Sequence, residues 1–168
     1  TGCIKPREAY EAIEWNILVL IYGMLALGMV MESSGASTLF ASSVGYISGQ
    51  GMDGPIQIIL TLIVLYLITS ILTELLSNAA TIVIMAPISL EIASQLQLSA
   101  FDARAFLLTS CIAASASFIT PIGYQTNTFV YTVGGYKFSD FAKIGIFLNL
   151  IYFVGTITLV CYFWDFGM

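Results

Sequence analysis

The stretch IQIILTLIVLYLITSILTELL, residues 56–76, carries no charge before Glu74 and passes directly into Ser77-Asn78-Ala79-Ala80. Apolar character resumes at once in TIVIMAPISLEIASQL, residues 81–96. Two apolar arms that meet at a small polar tip, with no charged loop between them, do not read as two ordinary membrane crossings. They read as a re-entrant helical hairpin over residues 56–96 with its tip at 77–80. Backbone that leaves the helix at membrane depth is tolerated where protein or a water-filled cavity surrounds it.

The composition places this hairpin in a bilayer. Of 168 residues, 58% are hydrophobic and only 9% charged, with a mean hydropathy of +0.94. Soluble domains carry about 25% charged residues, and so few charges cannot cover a water-facing surface. The fold class is therefore an all-α membrane protein. Five Lys and Arg stand against ten Asp and Glu, and only Lys5 and Arg7 are close in sequence, so no basic surface exists for nucleic acid.

Histidine is absent, which removes the near-neutral proton shuttle, His-activated nucleophiles and imidazole metal sites together. An intramembrane hydrolase needs a Ser–His pair or two aspartates at depth. Asp53, Asp102, Asp140 and Asp165 all fall at the ends of apolar runs, and no enzyme is expected. Cys111 and Cys161 sit inside apolar runs and read as small core residues, not reactive thiols.

The other elements follow from the charge-free runs. Residues 15–31 form a membrane helix of about the minimum length for a ~30 Å core, preceded by an interfacial helix over 6–14 with Pro6 in its first turn. Residues 36–48, rich in Ser and Gly, suit a second interfacial helix. Gln97 to Arg104 forms a polar connection. Residues 105–133 are apolar but interrupted by Thr120-Pro121-Ile122-Gly123-Tyr124-Gln125-Thr126-Asn127, which predicts a discontinuous helix. Residues 144–164 make a last membrane helix with an aromatic end. The whole of residues 1–168 forms a single membrane domain. Its opening, residues 1–8, has the pattern of neither a charged leader nor a cleavage site, and the sequence is expected to be part of a longer protein. Lys5, Arg7, Lys137 and Lys143 fall on one side of this topology and Arg104 on the other, which places the first four in the cytoplasm.

Unwound backbone at membrane depth exposes carbonyl oxygens suited to an alkali cation and half-helix amides suited to an anion, the construction found in secondary transporters. Single breaks of this kind are often simple kinks; two in one short chain favour a transport site. Glu74 has two readings of equal weight, as a functional intramembrane carboxylate or as an acceptor for amides at the start of the return helix. Asn149 reads as a hydrogen-bond partner for a neighbouring helix. Tyr124 and Tyr131 are candidates to close the site or to pack in the bundle.

At these residues the chain resembles a known family. Thr73-Glu74-Leu75-Leu76-Ser77-Asn78, then the segment from Thr120 to Asn127, then Gly134-Gly135-Tyr136-Lys137-Phe138-Ser139-Asp140 are similar to the divalent anion/sodium symporter family. The members most resembled are the citrate-transporter-like proteins and sulfate permeases with inserted regulatory domains. The resemblance implies half of an inverted-repeat transporter, this chain being the second repeat, working as a homodimer by an elevator-type movement. It implies a sodium ion held by Thr73, Asn78 and backbone at Leu76 and Ile119, and an anion faced by Ser77, Asn78, Thr120 and Pro121. Sodium would be transported, not held as a prosthetic group. The implied partners are the N-terminal repeat of the same transporter, a second copy, membrane lipid and a small anion.

Ala79 stands where the family's tip carries a threonine hydroxyl, and Ile122 follows Pro121 in place of a second proline. Sulfate and di- or tricarboxylates therefore remain equally open. The expected function is sodium-coupled uptake of a divalent anion across a bacterial inner membrane. A proton-coupled antiporter or exporter of the same superfamily, and an inactive fragment needing its other half, stand as alternatives.

Overall fold

The computed structural model describes residues 10, 15–48, 54–164 and 166. Seven α-helices occupy them: α1 Trp15–Ser33, α2 Ala36–Ile47, α3 Pro55–Leu75, α4 Asn78–Gln95, α5 Ala100–Ala114, α6 Gln125–Gly134 and α7 Phe138–Phe163. No strand is present among the described residues. Of the helix expected over 6–14 only Tyr10 is described, and it is helical; the rest lies outside the described residues.

The helix ends have local causes. Pro55 opens α3 at its first turn, where its missing N–H costs nothing. The helix stops at Leu75 because Leu76 and Ser77 are both extended. Ser77 then caps α4, its hydroxyl accepting the Ala80 amide at 3.2 Å. The turn between α3 and α4 is thus two residues long, shorter than the expected tip, and Asn78, Ala79 and Ala80 already belong to the return helix. Ser99 caps α5 in the same way through the Asp102 amide. That cap starts α5 at Ala100, earlier than the charges at Asp102 and Arg104 suggested. Likewise α7 begins at Phe138, with Asp140 accepting the Lys137 amide at 2.9 Å. Charges at a membrane edge mark where apolar length ends, not where helical bonding ends.

Helix α5 ends differently. Pro121 has no N–H to give and disfavours helical geometry at Thr120, and the chain stays unwound from Ser115 to Tyr124 before α6 resumes.

The interior is built around α4, which packs against α1, α2, α3 and α5. Leu62 and Leu65 of α3, Met85, Ile88 and Ile92 of α4, and Ala105 and Phe106 of α5 form its centre. Ser89 of α4 and Ser110 of α5 lie 2.6 Å apart within it, satisfying each other where water is excluded. Helix α7 joins α3 and α5 through a narrow stripe, Gly145, Asn149, Thr156 and Val160. Helix α6 buries no residue.

The outer faces are as apolar as the interior. Leu67 and Ile71 of α3 and Ile146, Phe147, Leu150, Val154 and Leu159 of α7 are exposed. Helices α3 and α7, 21 and 26 residues long, have the length and apolar composition to cross a membrane, at about 1.5 Å rise per residue. Cys111 is exposed on α5 and Cys161 partly exposed on α7. Neither is the core residue that its apolar neighbours suggested, because in a membrane protein apolar sequence marks the lipid face as readily as the interior.

The connection from α4 to α5 carries one strained position. The Leu98 amide bonds the Ala93 carbonyl and the Gln97 amide the Ser94 carbonyl, a Schellman closure that puts Gln97 at φ +54°. A side chain there costs about 1 kcal/mol relative to glycine. Gln97→Gly is expected to raise the melting temperature of the purified protein in detergent; an unchanged or lower midpoint would count against this geometry.

Candidate functional site

The last turn of α3 meets the unwound segment 115–124. Glu74, 8% exposed, places one carboxylate oxygen 2.8 Å from the Ile119 amide and the other 2.9 Å from the Thr120 amide. The Thr120 hydroxyl returns a long bond of 3.4 Å to the Glu74 carbonyl. These two amides have no helical partner, since the chain around them is not a helix, and a charged acceptor is the strongest available substitute. Of the two roles the sequence allowed Glu74, capping is what the geometry displays, but for the facing loop and not for the return helix.

Thr73, fully buried, reaches the same segment on the other side. Its hydroxyl bonds the Ala114 carbonyl and lies 2.9 Å from Asn78 Oδ1. A hydroxyl has one proton. When that proton goes to Ala114, the Thr73 and Asn78 oxygens confront each other without one.

Three further side chains fix the loop's carbonyls. Asn127 Nδ2 donates to Ser117 at 2.9 Å and to Thr120 at 3.2 Å. The Thr128 hydroxyl donates to Pro121 at 2.8 Å. Asn149 Nδ2 donates to Ala116 at 3.0 Å. Among the described residues no donor reaches the carbonyls of Leu76 and Ile119. The loop is therefore held by its ends and its amides, with particular oxygens left bare.

Two glycines allow the close approach. A Cβ on Gly123 would lie 2.9 Å from Glu74 Oε2 and 3.1 Å from the Thr120 hydroxyl. A Cβ on Gly145 of α7 would collide with the Phe118 carbonyl group and come within 2.7 Å of Ile119 Cα. Only hydrogen fits at either place.

The site residues named from sequence divide as follows. Thr73, Asn78, Ile119 and Thr120 belong to this junction by direct bonds or through Glu74. Leu76 and Ser77 form the turn itself, both exposed, with the Ser77 hydroxyl engaged by Ala80. Pro121 is buried and its carbonyl is taken by Thr128. Tyr124 is exposed at the start of α6, and Tyr131 packs edge-on against Phe141; neither closes the junction. Sequence reasoning missed Gly145, Ser70 and Thr128. Gly145 had a weak signal, one of two glycines with Gly155 in an otherwise bulky apolar span, while Ser70 and Thr128 had none.

A separate cavity of about 300 Å³ lies behind the loop between α6 and α7, lined by Phe118, Asn127, Val130, Tyr136 and Phe141 among others. It is mainly apolar, with Asn127 and Asp140 as its polar residues, and includes none of Thr73, Glu74, Asn78 or Thr120.

The profile of a family described as citrate transporter matches residues 1–113. An uncharacterized transporter of Synechocystis is 44% identical over 95% of this chain and 25% of its own length. A probable sodium/sulfate cotransporter 3 of Chlamydomonas reinhardtii is 33% identical over 96% of this chain and 17% of its own. Solute carrier family 13 member 2 of Mus musculus is 33% identical over 95% and 25%. The chain thus spans a quarter or less of the length of these relatives.

If Glu74 is what holds the loop amides, Glu74→Ala is expected to speed hydrogen exchange at Ile119 and Thr120 by about ten- to a hundredfold. Glu74→Gln retains one acceptor and should expose mainly one of the two amides. Exchange by mass spectrometry that is unchanged at this segment in Glu74→Ala would refute the assignment.

Proposed function

The chain belongs to the citrate transporter family, and from that premise we propose that it forms the second repeat of a sodium-coupled secondary transporter that takes up a divalent anion. Members of the family are transporters and not enzymes, and this chain is part of an integral membrane protein. The finer reading is carried by one observation: the two stretches that abandon helical bonding are joined directly, through Glu74 to the amides of Ile119 and Thr120.

Sodium suits the oxygens that this junction leaves bare. The Thr73 and Asn78 side-chain oxygens meet beside the loop, and with the Leu76 and Ile119 carbonyls they would supply neutral ligands of the kind a dehydrated alkali ion needs. We assign the sodium site to Thr73, Asn78 and the backbone of Leu76 and Ile119. The anion is assigned to Ser77, Asn78, Thr120 and Pro121, next to the start of α4, whose first amides favour negative charge. Sodium binding would draw the α3–α4 turn against the loop and offset the charge of the incoming anion, so that neither ion binds well alone.

Sodium is favoured over protons because Glu74 is committed to two backbone amides and so holds the loop in place. Sulfate and di- or tricarboxylates both remain substrates in this proposal; the sodium and sulfate in the name of the Chlamydomonas relative support the pairing. The α3–α4 unit serves as a re-entrant hairpin, and α5 and α6 serve as one discontinuous helix. The companion repeat of the same transporter would supply the other half of the anion site, two such proteins would pair as a homodimer, and the membrane would be a bacterial inner membrane.

The test is uptake of labelled sulfate and of citrate by the full-length protein in liposomes. Uptake of one of the two is expected to depend on an inward sodium gradient and to fall to the protein-free background when choline replaces sodium. Uptake indifferent to sodium but driven by a proton gradient would overturn the coupling.

A further inference from the structure

Asn149 lies in α7, 7% exposed, and its carboxamide joins three elements at once. Nδ2 donates to the Ala116 carbonyl of the unwound segment at 3.0 Å. Oδ1 accepts from the Ser70 hydroxyl of α3 at 3.2 Å. Ser70 stands one turn before Thr73 and Glu74, and Ala116 stands two residues after Ala114, the carbonyl that Thr73 takes. The same side chain therefore ties both halves of the junction to a third helix.

Chemistry restricts what can do this. The position needs a donor toward a carbonyl and an acceptor toward a hydroxyl within one short side chain, and a carboxamide offers both. Geometry restricts it further. Gly145, one turn earlier on the same face, lets α7 touch the backbone of Phe118 and Ile119. Gly145 and Asn149 are the two residues of the buried stripe that reach the loop; Thr156 and Val160 lie farther along.

We infer that Asn149 is a positioning residue that sets sodium affinity by holding the Ala116 backbone in register with Thr73. It touches neither ion nor anion in this arrangement and acts through the carbonyls beside it. The inference rests on the sodium-coupled reading above, whose own failure would show in the unmutated protein.

The experiment measures sodium activation of anion uptake by the full-length transporter in liposomes. Asn149→Ala removes one buried bond at each end of the strap, and its half-saturating sodium concentration is expected to rise about tenfold. The maximal rate at saturating sodium and anion should stay within about twofold of the original, since nothing that contacts the anion is altered. Ser70→Ala leaves the bond to Ala116 intact and should shift sodium by only about two- to threefold. Asn149→Asp keeps the acceptor for Ser70 but loses the donor, so it should resemble Asn149→Ala and not Ser70→Ala. Adding Ser70→Ala to Asn149→Ala should produce little further shift, because both cut the same strap. A maximal rate that collapses while half-saturating sodium stays put would overturn the inference and leave Asn149 a packing residue. Should Asn149→Ala fail to assemble, Ser70→Ala decides the matter, and an unmoved sodium dependence there overturns it equally. Sodium-independent uptake by the unmutated protein would overturn the coupling and this inference together.

Discussion

A single buried carboxylate organises this part of the protein. Segment 115–124 is a length of chain that has given up helical bonds in an apolar surrounding, where an unpaired amide costs several kcal/mol if nothing replaces the lost partner. Glu74 accepts two of those amides, and it can do so because α3 ends within one residue of it. If α3 continued as a regular helix past Leu75, the chain could not turn back at Leu76 and Ser77, and Asn78 would not come to rest beside Thr73. The break in α3 and the break after α5 are therefore one structural event, each supplying what the other lacks.

The remaining polar side chains at the junction divide the work by chemistry. Carboxamides hold carbonyls: Asn127 holds those of Ser117 and Thr120, and Asn149 holds that of Ala116. Hydroxyls hold the others, as Thr73 does that of Ala114 and Thr128 that of Pro121. The carbonyls of Leu76 and Ile119 are spared by this division.

The breaks themselves were legible in the sequence, because Pro121, Gly123 and Ser77-Asn78 interrupt runs that are otherwise predominantly apolar. The family followed from the same residues, and the citrate transporter profile bears it out. What sequence could not supply was the pairing across the fold. The Glu74 carboxylate and the Thr120 amide are 46 positions apart, and backbone amides leave no trace in residue identity. Helix bounds near charges were also displaced, at Ala100 and Phe138, since a Ser or Asp cap prolongs a helix beyond its apolar portion. Cysteine placement failed for a related reason: hydrophobic sequence cannot say which face of a helix looks inward and which looks at lipid.

The bare Cα of Gly145 has one more effect. Its flanking residues Ile144 and Ile146 are both exposed, and the Phe118 carbonyl rests where a side chain at 145 would stand. Helix α7 can therefore lie this close to the loop in one rotational setting, the one that turns Gly145 toward it. A turn of α7 that brought any other side chain to this place would have to part the helix from the loop.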